Sequence, residues 1–454
     1  MTTSGQPRLG ARAWLLRASG VAGELAGASS AEGLALLALV GALVGLGLWC
    51  RLVGFGFPST FLFDEHHFVE NARNYLHGLP DWNDHPPLGK LFIAAAIRGF
   101  GDRSFAWRLP SLIEGLLLIA VGGAAAARLF RSRVAGVLAV ALLATDGFLI
   151  AYARAALLDC GLALAAVTAI WLATFRWRAG LAVAAGVLIG LAANIKFTGI
   201  GNALPLAVAL LLAGLPWRRT LGLGALAGGV AVATYFAAYA LGLAIDGQPH
   251  GVRDVVAASA ALVQHHAALT DMKNPWVSGW ITWIVPVRPL VMGYERWGRG
   301  VRVLSSLGNL IVWWSAWAAA LAVAGRIAWA GVRASVQDPP ALGSSSDAEP
   351  DPLASFARQH GRAALIVLSM VAGHLFPWAA SHRDSYIYHF LPSYAGMVVL
   401  LAAFLAHLAH RRARPVVLFL AAVFLFSVLY APVWSMWPIS EQQFRWRLPF
   451  GSWR

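Results

Sequence analysis

The chain has 454 residues, of which 59% are hydrophobic and only 12% charged, against about 25% charged in an average soluble domain. That balance excludes a water-soluble protein and makes the chain an integral membrane protein. Its net charge of +14 is carried by arginines at the ends of apolar runs, the pattern of cytoplasmic loop ends, and no nucleic-acid partner is expected.

Residues 1–30 are rich in Gly, Ala and Ser with scattered arginines and read as a cytoplasmic tail. The apolar run 31–53 is too long for a signal-peptide core, so it reads as a retained first span. A polar loop, 54–106, follows. Further apolar runs near the ~20-residue bilayer length lie at 107–127, 134–153, 157–175, 179–195, 200–215, 220–243, 307–330, 363–380, 386–407 and 415–434, which makes eleven predicted spans. The expected fold is therefore an all-α polytopic membrane protein, with a transmembrane domain over 31–435. Cys50 and Cys160 lie in or beside apolar runs, so no disulfide framework is implied. No fixed-period repeat is visible.

Short-loop arginines set the expected orientation. Arg128, Arg131 and Arg133 fall on one side with Arg176, Arg178, Arg218, Arg219, Arg411, Arg412 and Arg414, while the opposite turns carry the single cations Arg154, Lys196 and Arg383. The positive-inside rule puts the arginine-rich side in the cytoplasm. The loops 54–106 and 244–306 and the tail 436–454 then face outward. The linker 331–361, with Asp338-Pro339-Pro340 and Ser344-Ser345-Ser346, faces inward and reads as disordered.

The outward side also holds the residues with chemistry. Phe63-Asp64-Glu65-His66-His67-Phe68 and Asp84-His85-Pro86-Pro87-Leu88-Gly89-Lys90 share the first loop, and charge clustered at a bilayer is costly enough to suggest function. One of the adjacent acids Asp64 and Glu65 can serve as a general base while the other orients a neighbour or a sugar; both can equally be solvated loop acids. His66, His67 and His85 with Asp64 and Asp84 match no strong metal signature, and no metal is assigned. Two prolines and a glycine precede Lys90, which suits a lysine held for a lipid phosphate, or one that snorkels to head groups. Arg154 and Asp159 can pair two spans or serve a site, and Lys196, Asp146 and Glu114 are similar cases. Trp276, Trp280 and Trp283 form an aromatic belt or a sugar-stacking surface.

These motifs together resemble the bacterial protein O-mannosyltransferases, within the polyprenyl-phosphate-dependent GT-C-type membrane glycosyltransferases. The matching residues are Phe63-Asp64-Glu65 with His67-Phe68, the block 85–90, Trp107-Arg108-Leu109-Pro110, and Arg154 with Leu157-Leu158-Asp159. Lys196-Phe197-Thr198-Gly199, the tryptophan-rich stretch 275–289, Ser306-Leu307-Gly308-Asn309 with Trp313-Trp314, and Arg383 to Pro392 are similar to later family motifs. His66 stands where small apolar residues are usual, and Asn274 where a histidine is expected. The loop 244–306 has no room for the β-trefoil module of eukaryotic members.

The resemblance implies a GT-C-type fold in the bacterial inner membrane, with its active site facing the periplasm or exterior. It implies an inverting transfer of mannose from a polyprenyl phosphate to Ser or Thr hydroxyls of an exported polypeptide, with membrane lipids as surroundings and no cofactor beyond the lipid-linked donor. Asp64 is then the base and Glu65 a supporting acid. Lys90, Arg154 and Arg383 are the phosphate ligands, and His67, His85, Asp159, Arg108, Lys196, Trp276 and Trp280 shape the site or bind substrate. The alternatives are transfer of another lipid-linked sugar, such as aminoarabinose or arabinose, to a lipid or glycan, and a transporter, for which the expected inverted repeats are not seen.

Overall fold

The computed structural model describes residues 30–270, 274–336 and 351–454. The predicted tail 1–30 therefore lies almost entirely outside the described residues, as does the middle of the predicted linker. The flanks of that linker are helical rather than irregular, because the spans on either side run into it.

Helix α1 (Ser30–Leu52) is the first span. The loop 54–106 is itself helical, with α2 (Glu65–His77) and α3 (Pro87–Phe100). Pro87 opens α3 in the first turn, where its missing N–H would have had no partner. Gly78 ends α2 in the left-handed conformation, its N–H returning to the last turn. Next come α4 (Ser104–Leu129), α5 (Arg133–Thr145), α6 (Gly147–Ala153), α7 (Asp159–Leu172) and α8 (Ala179–Ile195). They are followed by α9 (Ala203–Leu211), α10 (Trp217–Ile245) and α11 (Val252–Ala267). The last helices are α12 (Leu310–Val336), α13 (Pro352–Ala379), α14 (Leu391–Ala409), α15 (Ala413–Ser435) and α16 (Glu441–Arg447).

Among the described residues, seven helices are long and apolar enough to cross a membrane, or eight if the bent pair α5–α6 is one span. The remaining predicted spans are the shorter apolar helices at Asp159–Leu172, Ala179–Ile195 and Phe197–Leu211. The 14 residues of α7 reach only about 21 Å, short of the ~30 Å hydrocarbon core. Sequence hydropathy does not separate such a segment from a full span.

Helix α14 lies at the centre. Its sequence is apolar on every face, and 89% of its span window is buried, as expected for a helix enclosed by others. The α5–α6 span breaks by 63° at Asp146. The Asp146 carboxylate accepts from the Phe148 N–H at 2.9 Å, the Asn309 N–H at 3.0 Å and the Tyr394 hydroxyl at 2.7 Å. Broken backbone inside a membrane needs such internal partners, and Asp146 supplies them.

The fold is mostly helical, as expected, with one addition: a small antiparallel sheet. Strands β1 (Val291–Trp297) and β2 (Gly300–Ser305) form a hairpin, and β3 (Ile439–Ser440) adds to its free edge in the order β1-β2-β3. The loop 244–306 and the C-terminal tail are thus joined into one layer. The paired residues Gly300 and Ser440 lie 140 positions apart in sequence, which hides the pairing from local pattern.

Helices α8 and α10 pack in extensive contact. Gly186 and Gly190, four apart on α8, face Ala227 and Ala231 of α10, and a Cβ at either glycine would lie 2.5 Å from a carbonyl oxygen. Small residues at this spacing let membrane helices touch backbone to backbone. Gly190→Ala should lower the thermal midpoint in detergent, at a cost of roughly 1–3 kcal/mol from overpacking. Gly180→Ala, where nothing lies within 4 Å, should not.

Candidate active site

The loop 54–106 is anchored by a buried ion pair. Arg108, one turn into α4, donates to Glu65 from Nε at 2.7 Å and from Nη2 at 2.8 Å. Its other donors reach the carbonyls of Pro58 at 2.7 Å and Thr60 at 2.9 Å. Glu65 also accepts from the backbone N–H of Ala156 at 2.7 Å and of Leu62 at 2.8 Å. Both side chains are 0% exposed. The adjacent acids therefore part company. All the near lone pairs of Glu65 are spent on protein, and orienting a sugar or acceptor would require one of these bonds to yield.

Asp64 is the opposite case. It sits at the N-cap of α2 but makes no capping hydrogen bond, although an Asp there ordinarily accepts one from the first turn. Phe63, just before it, holds a left-handed φ of +40°, a conformation few non-glycine residues adopt. It is kept there by its N–H, which donates to the Met292 carbonyl of β1 at 2.9 Å. The sheet thus sets the direction of Asp64. Burial pushes the Asp64 carboxyl up to about 6; Lys196 and His66 oppose that shift, while Asp159 and Asp84 add to it.

Lys196, at the end of α8, donates to Asp159 at 2.8 Å and lies 4.9 Å over the Tyr388 ring. The Phe63 ring meets the same tyrosine edge-on at 6.3 Å. Asp64, Asp159, Lys196 and Tyr388 thus face one another, although four separate segments carry them.

The histidines form a second wall. His85 stacks on Phe68 at 5.7 Å, and its ring is 5.2 Å from that of His266 on α11. Burial pulls both below the ordinary histidine range, His266 to about 3, with nearby cations adding to the effect. Both rings are neutral at pH 7. His67 contacts His66 at 3.7 Å and Trp82 at 5.6 Å. Arg383 lies 5.8 Å from the Trp378 ring. Its Nε and the His266 Nδ1 are buried without hydrogen-bond partners among the described residues.

The other predicted cations are occupied. Lys90, 0% exposed, is ion-paired to Asp84 at 3.1 Å and to Asp81. Arg154 donates to the carbonyls of Cys50, Arg51, Val53 and Gly54 at 2.6–3.1 Å, gathering the end of α1. Contact of either with a phosphate would need these partners to be exchanged. Trp276 and Trp280 pack half-buried against the main core. Asn274, where a histidine was expected, accepts from the Trp276 N–H at 2.9 Å and shapes that turn. Among the described residues no group of three or more His, Cys, Asp or Glu side chains is arranged to hold a metal.

Sequence reasoning missed His266 and Asp81. His265-His266 was visible as a tandem, but only the packing of α11 over the first loop brings it to His85. Asp81 gave no signal apart from its nearness to Asp84.

Two family models match adjoining stretches. Residues 84–242 match dolichyl-phosphate-mannose-protein mannosyltransferase, and 252–453 match the C-terminal four-transmembrane region of protein O-mannosyltransferase. The chain belongs to the protein O-mannosyltransferase family. A polyprenol-phosphate-mannose–protein mannosyltransferase of Mycobacterium tuberculosis is 28% identical, over 87% of each chain. Its namesake in Mycolicibacterium smegmatis is also 28% identical, over 59% of this chain and 65% of that one. In fold, the chain is similar to the Saccharomyces cerevisiae Pmt1–Pmt2 complex bound to the sugar donor, with a TM-score of 0.74 at 15% identity over 95% of this chain and 94% of that one. ArnT of Cupriavidus metallidurans in the apo state gives a TM-score of 0.56 at 16% identity, over 90% and 78% of the two chains. The fold is thus of the GT-C type, and this O-mannosyltransferase family member is a multi-pass membrane protein.

The ion pair can be tested directly. Glu65→Gln should leave the Arg108 charge buried without its counter-ion, destabilising the protein by roughly 3–5 kcal/mol and lowering the thermal midpoint in detergent. Glu65→Gln combined with Arg108→Met should recover most of that midpoint. A double variant no better than the single would show that the pair is not the source of the loss.

Proposed function

We propose that this chain transfers mannose from a polyprenyl phosphate to Ser or Thr hydroxyls of exported proteins, at the outer face of a bacterial inner membrane. Family membership supports the reaction class. The arginine asymmetry of the short loops supports the orientation, because Asp64 and both long loops lie opposite the arginine-rich short loops. The observation that carries the chemistry is Asp64: a half-buried carboxylate without a hydrogen-bond donor among the described residues, with the Lys196 charge acting on it.

Asp64 acts as the general base. It takes the proton of the acceptor hydroxyl as that oxygen bonds to the anomeric carbon. The bond from that carbon to the phosphate oxygen breaks on the opposite face, so the configuration inverts and polyprenyl phosphate departs. A carboxyl near 6 is ionised at neutral pH yet more basic than an ordinary aspartate, which favours proton transfer. Arg383, with a buried N–H left unbonded, stabilises the charge growing on the phosphate, and Lys196 contributes from across the cavity. Lys90, Arg154, Arg108 and Glu65 hold the walls through their own pairs. His67, His85, His266 and Asp159 shape the cavity, and Trp276 and Trp280 offer faces for a sugar.

Asp64→Asn should lower turnover by about 10²–10⁴-fold while donor binding persists. In the parent protein kcat/KM for acceptor peptide should fall about tenfold per pH unit below about 6 and stay level above it. Full activity in the purified Asn variant, assayed with radiolabelled polyprenyl-phosphate mannose, would remove Asp64 from the role of base.

Arg383→Gln should raise the apparent KM for the lipid donor and also lower kcat, because charge on the leaving phosphate is greater in the transition state than in the ground state. Donor titration in liposomes reads both. Unchanged kinetics would leave the phosphate to Lys196 and to an exchanged Lys90.

A further inference from the structure

A large cavity lies away from Asp64. It has a volume of about 2060 Å³ and opens at the other end of α4, lined by Arg128 and Leu129 of that helix. Arg108, beside Asp64's loop, precedes Arg128 by 20 residues, or about 30 Å along a helix. The cavity therefore sits a bilayer thickness away from the acids and histidines.

Its lining carries eight arginines and no aspartate or glutamate. They come from five separate stretches of chain: the α4–α5 turn, the α7–α8 turn, the start of α10, the end of α12 and the start of α13. Charge at these loop ends is expected of a membrane protein, but that bias does not make five segments surround one hollow. Arg176, Arg178, Arg219, Arg358 and Arg362 form no salt bridge among the described residues. A concave surface with cations of one sign and low-dielectric walls concentrates its potential on whatever enters.

The walls point to the ligand. Trp171, Phe175, Leu212 and Leu215 line the same cavity. Guanidinium groups above aliphatic and aromatic surface at interface depth match a phosphate that carries acyl chains: arginine binds phosphate oxygens through paired N–H donors, and the apolar wall accepts the first methylenes. A soluble anion would use the arginines and leave the apolar wall without a partner.

We propose that this cavity binds the phosphate head group of an anionic phospholipid from the leaflet at that face. The site is separate from the donor cavity and is occupied whether or not the enzyme is turning over.

Delipidated full-length protein, titrated with phosphatidylglycerol or phosphatidylcholine of matched acyl chains and read by native mass spectrometry, tests the proposal. One or two phosphatidylglycerols should remain bound, at least about tenfold tighter than phosphatidylcholine. The double variant Arg358→Gln, Arg362→Gln should lose that preference by about tenfold, without loss of Asp64-dependent transfer from a water-soluble short-chain donor. A control pair outside the cavity, Arg218→Gln with Arg414→Gln, should keep the preference although it removes the same charge. Equal binding of the two lipids would overturn the proposal. So would an equal loss in the control pair, which would reduce the effect to net charge, or full displacement by glycerol phosphate, which would make the ligand a soluble anion.

Discussion

The loop that carries Asp64 depends on the Glu65–Arg108 pair. Two opposite charges fully withdrawn from water are tolerable only if both are saturated with partners, and here they are. Arg108 holds the loop at Pro58 and Thr60, while Glu65 holds it at Leu62 and ties it to Ala156 at the α6–α7 connection. The loop that carries Asp64 is thereby clamped to the transmembrane bundle at several points. Because Glu65 begins α2, the clamp also settles where that helix starts, and hence where Asp64 stands.

The same economy of partners sorts the other charges. Lys90 is neutralised by Asp81 and Asp84, Lys196 by Asp159, and Arg154 is absorbed by carbonyl oxygens at the end of α1. Among the described residues of the candidate site, Asp64 and Arg383 are exceptions: Asp64 accepts no capping hydrogen bond and the Arg383 Nε has no partner. A catalytic base and a phosphate ligand need spare capacity, because a group already satisfied must break a bond before it can make one. A buried group left unsatisfied is costly to folding, so the surrounding clamp is what permits the exceptions to persist.

The sheet contributes at a distance. β1 fixes Phe63 through Met292, and Phe63 in its left-handed conformation turns Asp64 away from the first turn of α2. β3 brings the C-terminal tail onto the same layer. Strain of this kind persists only where the surroundings over-determine it, and here the ion pair and the sheet act from opposite sides of a three-residue stretch.

Composition and hydropathy determined that this is a polytopic membrane protein. They also placed the seven long spans and the bent pair, but did not separate these from the three shorter apolar helices. The Asp64-Glu65 and His85 to Lys90 motifs marked the loop that matters and the family it belongs to. Partnership was illegible: nothing in the spacing distinguishes Asp64 from Glu65, or Arg383 from Arg154, because each is one charged residue in a polar turn. Only the tertiary structure decided which were consumed by the fold. Hydrogen-bond satisfaction depends on which distant backbone atoms arrive beside a side chain, and Ala156, Cys50 and Met292 come from segments that local sequence cannot bring together. The short α7, the sheet and the meeting of His266 with His85 were hidden for the same reason, since each is created by packing between segments far apart in the chain.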